Sequence, residues 1–166
     1  HHVADFREPF RQCVIQNFID EYMSGRTPNP CVLCNSYIKW GEMTRMADQL
    51  QCDHIATGHY AQIRECDGHL YLAKAADTQK DQTYFLWMLT EENLRRTIFP
   101  LGGLTKSEVR ERARQHGYES LAQKAESQEI CFVTDDDYRS FLRANVPEYN
   151  ERVREGNYIN QHGQVL

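Results

Sequence analysis

Asp53-His54-Ile55-Ala56-Thr57-Gly58-His59 decides the fold class. Asp53 to Thr57 reads as a short buried strand, and Gly58 breaks it. Upstream, Asn35 to Leu50 places Ile38, Met43, Met46, Ala47 and Leu50 on one face and predicts a helix. Downstream, Tyr60 to Ala73 predicts a hairpin around Asp67-Gly68, a strong two-residue turn signal. Strands alternating with helices favour an α/β fold with a parallel sheet. Ligands of such sheets sit beyond the carboxyl ends of the strands, so Thr57-Gly58-His59 is a natural ligand position.

Further out, Phe10, Val14, Phe18 and Tyr22 recur at spacing four and predict an amphipathic helix that ends at Ser24-Gly25. His1 to Phe6 reads as a short strand. Gly25 to Pro30 (GRTPNP) is irregular, because its prolines oppose both helix and ladder. Tyr84 to Leu89 is apolar and predicts a helix. Thr105 and Glu108 form a capping box for a helix that closes at Gly117. Glu129 to Val133 reads as a strand containing Cys131, and Thr134 to Asp137 as the acidic start of a helix reaching Ala144. Tyr158 to Leu166 has the pattern of an unfinished hairpin.

The 166 residues suffice for one domain and part of a second. Hydrophobic residues at 40% and charged residues at 26% are ordinary globular usage. No apolar run approaches the ~20 residues of a membrane helix, and no signal segment opens the chain. A soluble, cytosolic protein is the expectation. The net charge of −5 gives no prior for nucleic-acid binding, although a local basic stripe is compatible with it.

The six cysteines are Cys13, Cys31, Cys34, Cys52, Cys66 and Cys131. A chain of this size buries a core without disulfides, and a reducing compartment favours free thiols. Cys31-Val32-Leu33-Cys34 is a CxxC motif between a proline-rich loop and a predicted helix start at Asn35. A helix N-terminus stabilises a thiolate, which predicts a lowered pKa and high reactivity at Cys34. A zinc site needs four ligands, and only one CxxC is present. A thioredoxin-type pair lacks its preceding strand. Taken alone, Cys131 is better read as core than as a reactive thiol. The aromatic cluster Tyr84, Phe85 and Trp87 is likewise better read as core, and Arg110, Arg112 and Arg114 as a solvated helix face. His59 reads equally as a structural group, and Asp81 as a cap.

Five segments in order resemble the tRNA-specific 2-thiouridylases. They are Gly25 to Pro30 with Leu33-Cys34-Asn35, Ile55 to Tyr60, Lys80 to Gln82 with Tyr84-Phe85-Leu86, Phe99-Pro100-Leu101-Gly102, and Ser127 to Phe132. The resemblance implies an incomplete Rossmann-like, PP-loop/HUP-type parallel sheet with helices over 1–145, followed by the start of a small β domain at 146–166. It implies ATP with Mg2+ as cofactors and adenylation of the wobble uridine of tRNAs for Lys, Glu and Gln. Sulfur then replaces the C2 oxygen. Cys34 matches the family's nucleophile and Cys131 its persulfide carrier. Gly58 matches an ATP contact. Asn29, Pro30 and Cys31 match the target-base loop, while His59, Lys80, Asp81 and Gln82 match tRNA contacts. A sulfur-relay protein or cysteine desulfurase is the implied donor.

The family's opening strand, Ser-Gly-Gly-Val-Asp-Ser phosphate loop and helix are not in this sequence, so the chain is expected to be a fragment, inactive alone. Cys31 stands where some members carry Asp, which opens a second mechanism in which Cys31, Cys34 and Cys131 hold a 4Fe–4S cluster. An amidating synthetase of the same superfamily and a zinc-stabilised binding module are the other readings.

Overall fold

The computed structural model describes residues 1–124, 130–133, 137–154 and 156–166. Helix α1 is continuous over Arg7–Phe10, Arg11–Ile15 and Gln16–Met23, with a wide π-type turn in its middle segment. It buries Val14 and Phe18, the face its spacing predicted. Helix α2 runs through Pro30–Leu33, Cys34–Glu42 and Met43–Gln49, again with a wide middle segment. Strand β1 (Ile55–Ala56) follows, then the hairpin of β2 (Ala61–Cys66) and β3 (His69–Lys74). The hairpin turns on Asp67 and Gly68, both at positive φ, as a two-residue turn between twisted strands requires.

A single 3₁₀ turn (Thr83–Phe85) leads to α3 (Glu91–Arg95) and strand β4 (Thr97–Ile98). Helix α4 (Lys106–Gln115) starts on the predicted Thr105/Glu108 capping box and stops before Gly117, at φ +81. Helices α5 (Glu119–Gln123), α6 (Tyr138–Asn145) and α7 (Tyr149–Arg152) complete the chain. Near its end a lone antiparallel bridge joins Ile159 to Val165, the seed of the predicted hairpin.

β1 and β4 pair in parallel, Ile55 opposite Thr97 and Ala56 opposite Ile98. Parallel strands connected through intervening helix make this an α/β fold. Trp40 on α2 donates its indole N–H to Thr97 Oγ1 at 2.7 Å, which fastens that helix to the strand pair. Trp40, Ala47, Ile55, Ala61 and Leu86 form one buried cluster. A second joins Phe18 to Val133, Leu142, Val146 and Tyr149. Gly102 marks a close backbone crossing: an added Cβ would lie 1.9 Å from Ala61 O, so no side chain fits there.

Five expectations are corrected. His1 to Phe6 forms no strand; Asp5 instead accepts the Arg7 backbone N–H at 3.0 Å and turns the chain into α1. Helix α2 starts at Pro30 rather than Asn35. Proline suits a first helical position, where its missing N–H has no partner to lose. The strand at Asp53 to Thr57 shrinks to two residues, because only Ile55 is buried within it. Tyr84 to Leu89 yields one turn instead of a helix. Leu86 is the one fully buried residue of the stretch and Phe85 and Leu89 pack partly buried beside it, while Tyr84 and Trp87 are 59% and 70% exposed rather than core. Ile130 to Val133 is a turn closed by Val133 N–H to Ile130 O at 3.0 Å, not a strand. Glu129 and the helix start expected at Thr134 to Asp136 lie outside the described residues. Asp137 caps α6, accepting from the backbone N–H groups of Arg139 and Ser140.

Candidate active site: a cavity lined by three cysteines

The start of α2 decides the site's geometry. With Pro30 as first residue, Cys31 and Cys34 lie one turn apart, and the Cys34 N–H is already bonded within the helix. The following wide turn carries residues five apart toward a common face, whereas an ordinary α-helix would set them about 140° apart. Lys39 thereby joins Cys34 on the wall of one cavity of about 260 Å³. Asn35 lines it from the same helix, Phe10 and Val14 from α1, and Gln82 and Phe85 from the 3₁₀ region. Ile130, Cys131 and Phe132 close it from the far side, held there because Phe132 packs edge-on against both Phe10 and Phe18.

Cys31, Cys34 and Cys131 therefore face one space despite their separation in sequence. All six cysteines are free. The expected depression of the Cys34 thiol pKa is overturned. Burial pushes it above its ordinary value, and the Lys39 ammonium opposes this only in part. Burial and the neighbouring Cys131 raise Cys31 likewise. The helix-terminus argument fails because the terminus lies at Pro30, with the Cys34 N–H already bonded.

His59 follows β1, as the position beyond a strand's carboxyl end predicts, and is buried. Its Nε2 lies 3.3 Å from Lys39 Nζ and its Nδ1 2.8 Å from Thr57 Oγ1. An ammonium has only donors, so Nε2 accepts and the ring proton sits on Nδ1, donating to Thr57. Burial, and secondarily Lys39, lowers the His59 pKa to about 4, so the ring is neutral at physiological pH. That folded value lies below the ordinary 6.5. As pH falls the unfolded chain takes up the proton first, and stability present above pH 6.5 is lost toward pH 4. The loss reaches at most about 3 kcal/mol. Urea midpoints measured across this range should fall with pH, and His59→Gln should flatten that part of the dependence.

A second cavity, about 420 Å³, shares Lys39, His59 and Gln82 with the first and adds Met43, Ala56, Thr57 and Gly58. Its volume is within the range of small-molecule sites. Lys39 and His59 thus stand between a cysteine-lined space and a Gly58-lined one. Gln82 pins the junction: its Oε1 accepts from Tyr60 N–H, and its own N–H donates to Tyr60 O, each at 2.9 Å.

Of the residues singled out in the sequence, Pro30, Cys31, Cys34, His59, Gln82 and Cys131 meet around the first cavity, and Gly58 around the second. Asn29 is exposed and caps no N–H of α2 with its side chain. Asp81 turns inward onto its own loop, accepting from Ala75 N–H at 2.8 Å and from the backbone and hydroxyl of Thr83. Lys80 lines a separate groove with Asp77, Lys106, Arg110 and Arg114. Sequence reading missed Lys39 and Asn35, whereas Thr57 belongs to the expected Thr57-Gly58-His59 ligand position. Thr57 was legible as a strand-end hydroxyl; Lys39 was not, since helical spacing of 3.6 turns it away from Cys34. Among the described residues, no three His, Cys, Asp or Glu side chains are arranged to hold a metal ion. No helix among them is long and apolar enough to cross a membrane.

Residues 1–135 match a family model described as the tRNA methyl transferase HUP domain. A protein of Amoebophilus asiaticus named tRNA-specific 2-thiouridylase MnmA is 49% identical over 166 residues, covering all of this chain and 44% of that relative. One of the same name from Cytophaga hutchinsonii is 48% identical over 166 residues, all of this chain and 45% of its own length. A third, from Phocaeicola vulgatus and named tRNA-specific 2-thiouridylase MnmA 3, is 52% identical over 98% of this chain and 43% of its own. The chain spans less than half the length of these relatives. With a match over 135 of its 166 residues, the chain belongs to the tRNA methyl transferase HUP domain family.

Proposed function

We propose that the whole protein carrying this chain is an ATP-dependent tRNA sulfurtransferase that converts a wobble uridine to 2-thiouridine. The observation that carries this reading is the cavity shared by Cys34 and Cys131, two thiols from distant segments. The relatives' name, 2-thiouridylase, points the same way. Methyl transfer, the wording of the family description, gives no role to three thiols around one cavity.

Cys131 carries the persulfide and Cys34 is the second nucleophile. Bound ATP with Mg2+ would supply the activation that turns the C2 oxygen into a leaving group, and Gly58, Thr57 and Lys39 line the cavity that would receive it. The terminal sulfur of the Cys131 persulfide attacks C2, and the oxygen departs with AMP. The ring is then joined to Cys131 through a disulfide. The Cys34 thiolate attacks the Cys131 sulfur, so the 2-thiouridine leaves and a Cys34–Cys131 disulfide remains. Two electrons from an external thiol reset the pair. Burial raises the Cys34 pKa, so the thiol gives up its proton as it attacks; that proton ends on the departing 2-thiouridine, and the Lys39 ammonium faces the passing negative charge.

Asn29, Pro30 and Cys31 border the flipped target base. His59, Lys80, Asp81 and Gln82 serve tRNA, with Asp81 acting through the loop it holds. The tRNAs are those for Lys, Glu and Gln, a sulfur-relay protein or cysteine desulfurase recharges Cys131, and the cytoplasm is the site of action. Residues 1–145 form part of the catalytic domain and 146–166 begin a β domain; the Ile159–Val165 bridge supports the β character of the end, while Val146 and Tyr149 pack with Phe18 in the core of the first part. A 4Fe–4S cluster on Cys31, Cys34 and Cys131 uses the same cavity. These three would be its ligands; among the described residues no three such side chains stand where they would hold a single metal ion.

The test supplies the whole protein with tRNA, ATP and a persulfide donor, and measures 2-thiouridine by nucleoside mass spectrometry. ATP-dependent 2-thiouridine is expected. Incorporation of ammonia with no thiolation would support an amidating synthetase instead.

A further inference from the structure

Asn35 follows Cys34 on α2 and is 3% exposed, yet it lines the cysteine cavity. Its Nδ2 donates to the Phe85 carbonyl at 3.4 Å. A carbonyl only accepts, so this bond fixes the amide's orientation and leaves Oδ1 as the other end. Oδ1 is buried and, among the described residues, has no hydrogen-bond partner. A buried acceptor without a partner loses its bond to water and gains none, and such groups call for an explanation. The other polar walls of the cavity are engaged: Lys39 with His59, His59 with Thr57, and Gln82 with Tyr60. Asn35, a lining residue, differs from them in carrying a buried acceptor, Oδ1, that has no such bond among the described residues.

We propose that Asn35 Oδ1 receives a ring N–H of the substrate base and so selects uracil. This rests on the pyrimidine reading above. Uracil carries its only free ring N–H at N3, next to the C2 carbon that faces sulfur. Cytosine presents a lone pair at N3; Oδ1 would then face an acceptor, with both groups desolvated and unpaired. Sites built to bond a substrate N–H reject analogues lacking it, because the site's own group is stranded. Asn35 is thus a specificity residue adjoining the nucleophile.

The test measures equilibrium binding of an anticodon stem-loop RNA to the whole protein without ATP, which separates recognition from activation. The target position carries uridine, cytidine or N3-methyluridine. Uridine should bind roughly tenfold or more tighter than either alternative. Asn35→Leu, of similar volume, should bind the RNA and lose this preference. Asn35→Asp keeps an acceptor but loses the Phe85 bond, and should retain preference for uridine. A purely structural Asn35 predicts that neither variant alters the ratio, which overturns the proposal. Should a variant fail to fold, the unmodified protein still decides: equal binding of uridine and N3-methyluridine overturns the proposal while leaving the tRNA reading intact. Absence of any RNA binding would overturn the tRNA reading instead.

Discussion

Cys34→Ser in the whole protein is expected to lower 2-thiouridine formation by on the order of 10³-fold or more, the scale on which loss of a nucleophile acts, while tRNA binding persists. A serine hydroxyl fits the half-buried site but cannot attack a disulfide at neutral pH, so the product stays joined to Cys131. Cys131→Ser should cause an equal loss for a different reason, since no persulfide forms. The double variant should be no worse than either single one, because the two act in one sequence of steps. Mass spectrometry of tRNA nucleosides gives the first quantity and filter binding the second. Appreciable thiolation in both single variants would remove the pair mechanism. Cys52 and Cys66, both exposed and neither of them lining the cavity, should tolerate Ser with little effect.

Phe18→Ala should destabilise the fold by about 3–5 kcal/mol. Phe18 is fully buried, and its ring meets Tyr22, Phe132 and Phe141 edge-on at centroid distances of 4.9, 5.1 and 5.8 Å. With Phe10, it is the contact through which α1 holds Phe132, beside Cys131, against the rest of the site. Truncation leaves a cavity among aromatic rings that cannot collapse without moving Phe132. Chemical unfolding should show the midpoint falling with little change in slope. Phe18→Leu, which retains most of the volume, should cost distinctly less. A Phe18→Ala loss under 1 kcal/mol would mean that the Cys131 segment is held by other contacts.

These expectations separate what the sequence discloses from what it conceals. The Val14 and Phe18 face of α1, the Asp67-Gly68 turn and the Thr105 cap were legible because each rests on a local rule that tertiary structure left in force. His59 beyond β1 was legible by topology. Failures arose where a local signal had two meanings. Pro30 reads as a breaker or as a first helical residue, and choosing the former misplaced the start of α2 and inverted the pKa argument for Cys34. Tyr84 to Leu89 has apolar composition without helical period, and the chain buries only Leu86 of it.

Lys39 and Asn35 were hidden for a different reason. The wide turn of α2 changes which residues share a face, and no residue type announces such a turn. The meeting of Cys131 with Cys34 is a long-range contact built on Phe18 and Phe132. No spacing rule foretells it, and only family resemblance suggested it beforehand.

The central claim is that sulfur leaves Cys131 by attack of Cys34. A single turnover with a persulfide carrying ³⁵S at its terminal position, in the absence of reductant, tests it directly. The account predicts that label passes to tRNA as 2-thiouridine while peptide mapping finds a Cys34–Cys131 disulfide in equal amount. Label transferred to tRNA with Cys34 left as a free thiol would contradict it.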